Sequence, residues 1–105
     1  MVPDLRIGSG AGFSGDRLDA ALVLAERGEL DWLALECLAE RTIALAQLRR
    51  RKDESVGYDP QLHRRMRALL PVAKRNGTRI ITNMGAANPV AAGQAVIEIA
   101  RALRL

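Results

Sequence analysis

Aromatic residues are scarce. Phe13, Trp32 and Tyr58 are the three in 105 residues, so any core is aliphatic, built from Leu, Ile, Val and Ala. Cysteine is scarcer: Cys37 stands alone, which excludes an internal disulfide and fits a reducing compartment. One cysteine and one histidine, His63, cannot supply the four ligands of a structural zinc, so no metal is expected. No apolar run approaches the ~18 residues of a membrane span. The start, Met1-Val2-Pro3-Asp4, lacks the basic segment and apolar stretch of a signal peptide. The expectation is a cytoplasmic protein with no membrane partner. Walker and nucleophile-elbow motifs are missing, as are repeats, linkers and low-complexity segments.

What is present suits one soluble domain. Hydrophobic residues make up 49%, enough for a modest core, and charged residues an ordinary 27%. The net charge of +4 raises nucleic acid as a partner. However, the cations gather in Arg49-Arg50-Arg51-Lys52 and from Arg64 to Lys74-Arg75, at the ends or outer faces of expected helices, with no aromatic residues interleaved to stack bases. They read as solvated faces, and no nucleic acid is expected.

The chain is organised around Gly8, Gly10, Gly12 and Gly15, which follow the short strand candidate Leu5-Arg6-Ile7. Such a cluster implies a turn with positive φ or a backbone that something approaches closely. Asp16 stands where a helix N-cap belongs, and a helix over 16–27 stops at Gly28. Trp32 to Leu35 is a continuous apolar run that suits a strand buried on both faces, with Glu36 and Cys37 at its carboxyl end. A helix over 39–50 is apolar nearly all round from Ile43 to Leu48 and wants cover that so short a chain barely supplies. After a polar loop, Asp59 and Pro60 open a helix with Leu62, Met66, Leu69 and Leu70 on one face. Pro71 should kink or restart that helix, and Asn76-Gly77 end it. Thr78 to Thr82 is a third strand. Asn88 and Pro89 open a last helix with Ala92, Val96, Ile99 and Leu103 as its buried stripe.

The order β-α-β-α-α-β-α predicts an α/β fold: three layers around a short parallel sheet of about three strands, part of a larger α/β domain. Residues 1–105 form a single α/β domain or the N-terminal fragment of a longer one. Ligands of such sheets sit outside the carboxyl ends of the strands. Three loops lie there: Gly8 to Asp16, Glu36 to Glu40, and Asn83 to Asn88. Each presents a helix N-terminus suited to an anion. The candidate substrate- or anion-binding residues are Gly8, Ser9, Gly10, Gly12, Gly15, Asn83, Gly85 and Asn88.

Gly10-x-Gly12-x-x-Gly15 also matches a dinucleotide fingerprint, with Glu36 placed as the ribose-binding acid. Asp16 is a poor neighbour for a pyrophosphate, and a tight turn packing strand on helix explains the same glycines. Glu36 is a candidate general acid or base, with an ion pair to Arg41 as the plainer alternative. Asn83 is a candidate for holding a substrate carbonyl, although asparagines at such positions more often cap helices and shape turns. Cys37 reads as a core thiol.

Four segments carry a family resemblance: Ile7 to Arg17, Leu35 to Thr42, Gly57-Tyr58-Asp59-Pro60, and Thr82 to Pro89. Together they resemble the opening of the acyclic terpene utilisation (AtuA-type) family. The resemblance implies a link to bacterial breakdown of terpenes such as citronellol and geraniol through acyl-CoA thioesters. It also implies a fragment or truncated homologue, since members are longer. It transfers no catalytic role. The leading expectation is a contributor to a site for carboxylate or acyl-CoA intermediates, the CoA thioester entering as substrate, with Glu36 and Asn83 as candidate catalytic residues. The alternatives are a non-catalytic ligand-binding or assembly module, in a homo-oligomer or with another catabolic subunit, and a dinucleotide-binding oxidoreductase.

Overall fold

A computed structural model describes residues 4–105; the reading of Met1-Val2-Pro3 as free of a leader lies outside them. The elements are β1 (Ile7–Ala11), α1 (Leu18–Arg27), β2 (Trp32–Leu35), α2 (Glu40–Lys52), α3 (Leu62–Asn76), β3 (Arg79–Thr82) and α4 (Pro89–Ala102). The three strands form one parallel sheet in the order β1-β2-β3. This is the expected α/β fold and element order.

The glycines at the start of the cluster belong to the strand, not to a turn. None of Gly8, Gly10, Gly12 and Gly15 has positive φ. At Gly8 an added Cβ would lie 2.6 Å from a Leu30 methyl and 2.9 Å from Leu24. At Gly10 it would lie 2.9 Å from Leu35 and 3.3 Å from the Ala21 Cβ of α1. Close packing by side chains of α1, of Leu30 and of β2 is therefore the reason for these two. The register of β1 against β2 shifts between Ser9 and Ala11.

Leu33, Leu35, Gly8 and Ile80 share the sheet face that meets the helices, and α1, α3 and α4 pack side by side over it. Ala21, Ala25, Met66, Leu69, Ala92 and Ile99 complete the core. Each fully buried Leu there stabilises the fold by about 1.5–3 kcal/mol.

The opposite face is bare. Ile7 is 62% exposed and Ile81 58%, and Trp32 and Ala34 between them are half-buried. The Arg79 guanidinium lies 5.6 Å from the Trp32 ring centre on this face. The expected third layer is thus not supplied by the described residues, and β2 is covered on one face instead of two. Parallel sheets are normally covered on both faces, so this arrangement is consistent with a larger α/β domain.

Several local expectations need correction. α1 starts at Leu18 with Arg17 as its N-cap, and Asp16 does not cap it. Gly28 is right-handed at the end of α1, and it is Glu29 that takes positive φ (52°). Pro60 lies in a turn before α3, not at its first position. Pro71 sits inside a continuous α3. The carbonyl it leaves without a donor belongs to Arg67, which is exposed and open to water. Leu103 lies past the end of α4 and is exposed, and Val96 is half-buried, so the buried stripe is Ala92, Ala95 and Ile99. Gly77 closes α3 in the left-handed region at φ 67°, as its sequence position suggested.

Only Ala46 of α2 is buried, and Leu48 is 54% exposed. The apolar circumference of this helix is as short of cover as the sequence led one to expect.

Candidate functional site

All three strands end on the same side, and four loops gather there. In the first, Asp16 Oδ2 accepts the Gly12 N–H at 2.8 Å and Oδ1 accepts the Arg17 N–H at 2.8 Å. The Gly12 bond, then the Arg17 bond, hold the Asp16 carboxyl below the usual carboxylate range. A depressed folded pKa contributes stability above the unfolded value, near pH 4, that is lost as pH falls through the folded value. Asp16→Asn is therefore expected to lower the melting temperature at neutral pH, with the gap to wild type closing as pH drops below about 4. A gap that stays constant into strong acid would refute the loop clasp.

The same loop is tied to α3 from beneath. Arg65, 0% exposed, donates from Nη2 to the carbonyls of Ser14 (3.0 Å) and Asp16 (2.7 Å). Its Nε and Nη1 have no partner. Sequence reading placed this arginine in a solvated basic face. The signal against that was available: position 65 is three residues after Leu62 and four before Leu69, within the apolar stripe.

The second and third loops meet through the two candidate catalytic residues. The Asn83 amide Nδ2 donates to Glu36 Oε2. Asn83 Oδ1 accepts the Cys37 N–H at 2.8 Å, and Glu36 Oε1 accepts the Leu38 N–H at 3.0 Å. Glu36 is exposed and both its oxygens are engaged. The ion pair to Arg41 is not formed: among the described residues the ion pair is Arg17–Asp19. Thr42 caps α2, its hydroxyl accepting from the Ala39 N–H at 2.6 Å.

Asn88 is spent on structure. Its oxygen caps α4 at the Ala91 N–H, and its Nδ2 donates to the carbonyls of Glu54 and Val56. Gly85 packs against Pro89, where a Cβ would lie 2.8 Å from the proline Cα. Gly8, Ser9 and Gly10 lie back in β1. Of the candidate binding residues, Gly12, Gly15 and Asn83 line the crevice itself.

The fourth loop, residues 53–61, was not counted among the site loops. It is pinned to the β3–α4 loop by Asp59 N–H to the Met84 carbonyl (2.8 Å) and Ala87 N–H to the Gly57 carbonyl (2.9 Å). It delivers Asp59, 5% exposed, whose Oδ1 accepts the Gln61 N–H while Oδ2 has no partner. Leaving such an acceptor unsatisfied costs about 1–3 kcal/mol.

Two connected spaces result. A groove of about 350 Å³ runs between the glycine loop and the start of α2, past Gly12, Phe13, Glu36 and Arg41. Ser14, Cys37, Leu38 and Thr42 also border a cavity of about 130 Å³ beneath α2, lined further by Leu45, Pro60, Ala86, Arg49, Asp59 and Asn83. The Cys37 thiol, at the junction, is pushed up to about 11, chiefly by burial, so it stays protonated.

The family model of the acyclic terpene utilisation family protein AtuA matches residues 5–105. The chain belongs to the AtuA family. No curated protein and no solved structure matches it. The AtuA match spans every element and all four loops, so the crevice lies wholly within the family's sequence.

In this AtuA-family chain the loop that carries the dinucleotide-like glycine pattern departs from that motif's usual setting at two points. The Gly12 N–H, which a phosphate would use, is taken by a carboxylate, and α1 begins three residues after Gly15. Among the described residues no group of three or more His, Cys, Asp and Glu is placed to hold a metal ion. No helix there is long and apolar enough to cross a membrane.

Proposed function

We propose that this AtuA-family domain binds a small carboxylate or acyl-CoA intermediate of acyclic terpene or branched-chain breakdown at the carboxyl edge of its sheet. The observation that carries the reading is the continuity between a groove bordered by the charged Glu36 and Arg41 and a smaller cavity beneath α2, both with mainly apolar walls. Such a shape suits a ligand with a polar head and a short branched hydrocarbon end. A cavity of about 150 Å³ accommodates benzene, so 130 Å³ is of the size of one five-carbon isoprene unit. The head lies in the groove, where the first turn of α2 leaves backbone N–H groups free for an anion and Arg41 stands beside them.

In this reading Glu36 and Asn83 position the site instead of reacting in it. Glu36 orients the Asn83 amide, and Asn83 fixes the Cys37 backbone at the junction of groove and cavity. A second reading, a ligand-binding module with no chemistry of its own, is favoured by the protonated Cys37 and by the engagement of both Glu36 oxygens.

A thermal-shift panel tests the binding claim. A branched acyl-CoA at a hundredfold excess over its dissociation constant adds about 2.7 kcal/mol, a rise on the order of 10 °C for a domain of this size. Free CoA is expected to give less, and NAD and NADP no shift. A shift with NAD or NADP alone, or none with any acyl-CoA, would overturn the reading. In a turnover assay with a full-length homologue, Glu36→Gln with normal folding and no turnover would restore Glu36 as a catalytic residue.

A further inference from the structure

We propose that the free edge of β3, with the apolar groove beside it, receives an extended segment of a partner chain as a fourth strand. The segment carries apolar side chains at alternate positions and an acidic residue at its end. This surface shares no lining residue with the crevice at the carboxyl edge of the sheet.

β3 is the last strand in the sheet order, so one of its edges is open. Arg79 donates its N–H to the Asp31 carbonyl at 2.9 Å, on the β2 side. Alternate residues of a parallel strand bond to the same neighbour, so the N–H and C=O of Ile80 point to the open side. Among the described residues no hydrogen bond reaches either group there. A groove of about 470 Å³ runs along this strand, from Thr78 past Ile80 to Thr82. Leu70 and Ala73 of α3 and Val96 and Ala100 of α4 form its other walls. α4 packs on α3 and hardly touches β3. Packed helices lie about 8–10 Å apart and paired strands about 4.8 Å apart, so α4 overhangs the edge of β3 and leaves room for a strand.

α4 itself is apolar beyond what its own chain covers. Its stripe of Ala92, Ala95 and Ile99 is buried against the core. Gly93, Val96, Ile97 and Ala100 make a second stripe at i, i+3, i+4 and i+7, and none of the four is buried. Glycine inside a helix destabilises it relative to alanine, yet a Cβ added at Gly93 would meet only open space. No contact within the chain requires this glycine; a partner backbone passing close to α4 would.

Shape and charge choose the occupant. A helix is about 10 Å across and would leave the Ile80 backbone groups unpaired. A strand pairs with them and turns every second side chain into the groove. A second copy fits poorly. Antiparallel pairing of β3 with β3 about a two-fold axis keeps all helices on one face, and each α4 would enter the space of the other copy's α3. Lys74, in the last turn of α3, lines the groove and makes no ion pair among the described residues. No acidic side chain lines the groove, so an acid on the partner complements it.

The probe is a capped hexapeptide with glutamate at each end and valine and threonine alternating between. It is titrated into the 105-residue chain while amide NMR signals and hydrogen exchange are followed. At saturation, exchange of the Ile80 N–H is expected to slow by about ten-fold or more, with the Cys37 and Leu38 amides unmoved. The same peptide N-methylated throughout keeps its side chains but cannot donate, and is expected to bind about ten-fold more weakly. A counterpart with lysine at each end is expected to bind about three-fold more weakly than the glutamate peptide, and Lys74→Glu, at an exposed position, to reverse that order. No slowing at Ile80 in the wild type overturns the proposal without needing the variant. Equal binding of the N-methylated peptide overturns strand pairing. An unchanged order in Lys74→Glu overturns the acidic end. If the chain without peptide sediments as a dimer with Ile80 already protected, the edge belongs to a second copy and the proposal falls.

Discussion

Arg65→Ala is expected to lower the unfolding free energy by about 3 kcal/mol, a drop in melting temperature on the order of 12–20 °C. Arg64→Ala and Arg67→Ala, one and two positions away on exposed sides of α3, should stay within about 0.5 kcal/mol of wild type. The contrast follows from burial. The Arg65 stem fills core volume beside Leu62 and Leu69, and its Nη2 makes two charge-assisted bonds to the glycine loop. Cavity formation and two lost bonds would together suggest more than 3 kcal/mol. The smaller figure reflects Nε and Nη1, which are buried without partners, so native Arg65 carries a standing penalty that its removal relieves. Arg65→Met separates the two contributions. It keeps most of the packing and gives up the tether, so hydrogen exchange at Ser14 to Asp16 should quicken more than global stability falls. If Arg65→Ala melts like Arg64→Ala, the buried clamp does not exist.

Gly57→Ala is the second large effect, at about 3 kcal/mol, against about 1 kcal/mol for Gly77→Ala. Both glycines have positive φ, 107° and 67°. At Gly77 nothing lies within 4 Å of an added Cβ, so the cost is that of the left-handed backbone alone. At Gly57 the new Cβ would sit 2.7 Å from the Arg50 Cβ of α2, close to that helix's backbone, and φ of 107° lies further from any region an alanine adopts. Denaturant melts of the two variants give the comparison directly; equal costs would mean that α2 does not press on this loop. Because Gly57 anchors the loop that carries Asp59, its variant should also weaken ligand binding, whereas Gly77→Ala should leave binding unchanged.

Much of the framework was legible because its signals are local. The apolar run Trp32 to Leu35, the β-branched run before Thr82, the Asn88-Pro89 opening and the Asn76-Gly77 stop each act within a few residues. What was missed depends on partners far along the chain. The glycine cluster could mean positive φ or close approach, and the choice is made by Leu24, Leu30 and Ala21, whose positions the local sequence does not encode. Asp16 has the residue type of a cap, yet the Gly12 N–H behind it is the better-placed donor. Glu36 and Asn83 were both singled out as strand-end residues, but their mutual bond joins positions 47 apart. Asp59 was read as a helix cap, and only the fold shows its second oxygen to be without a partner. Arg65 was hidden by its basic neighbours, although its place in the stripe pointed inward.

The bare sheet face has a topological consequence. Both crossovers lie on one side, so the chain from β1 to β3 winds in a single sense. Strands added beyond β3 in that same sense would bring their helices to the face already covered. A right-handed segment that covered Ile7, Trp32 and Ile81 would have to wind the other way and extend the sheet from the free edge of β1. The reversal would then fall at β1, beside the Gly12 to Asp16 loop, which is where doubly wound sheets open their binding crevice. Whatever covers the bare face in this manner would bring new side chains to the outer wall of the groove, and so complete the layer and the site together.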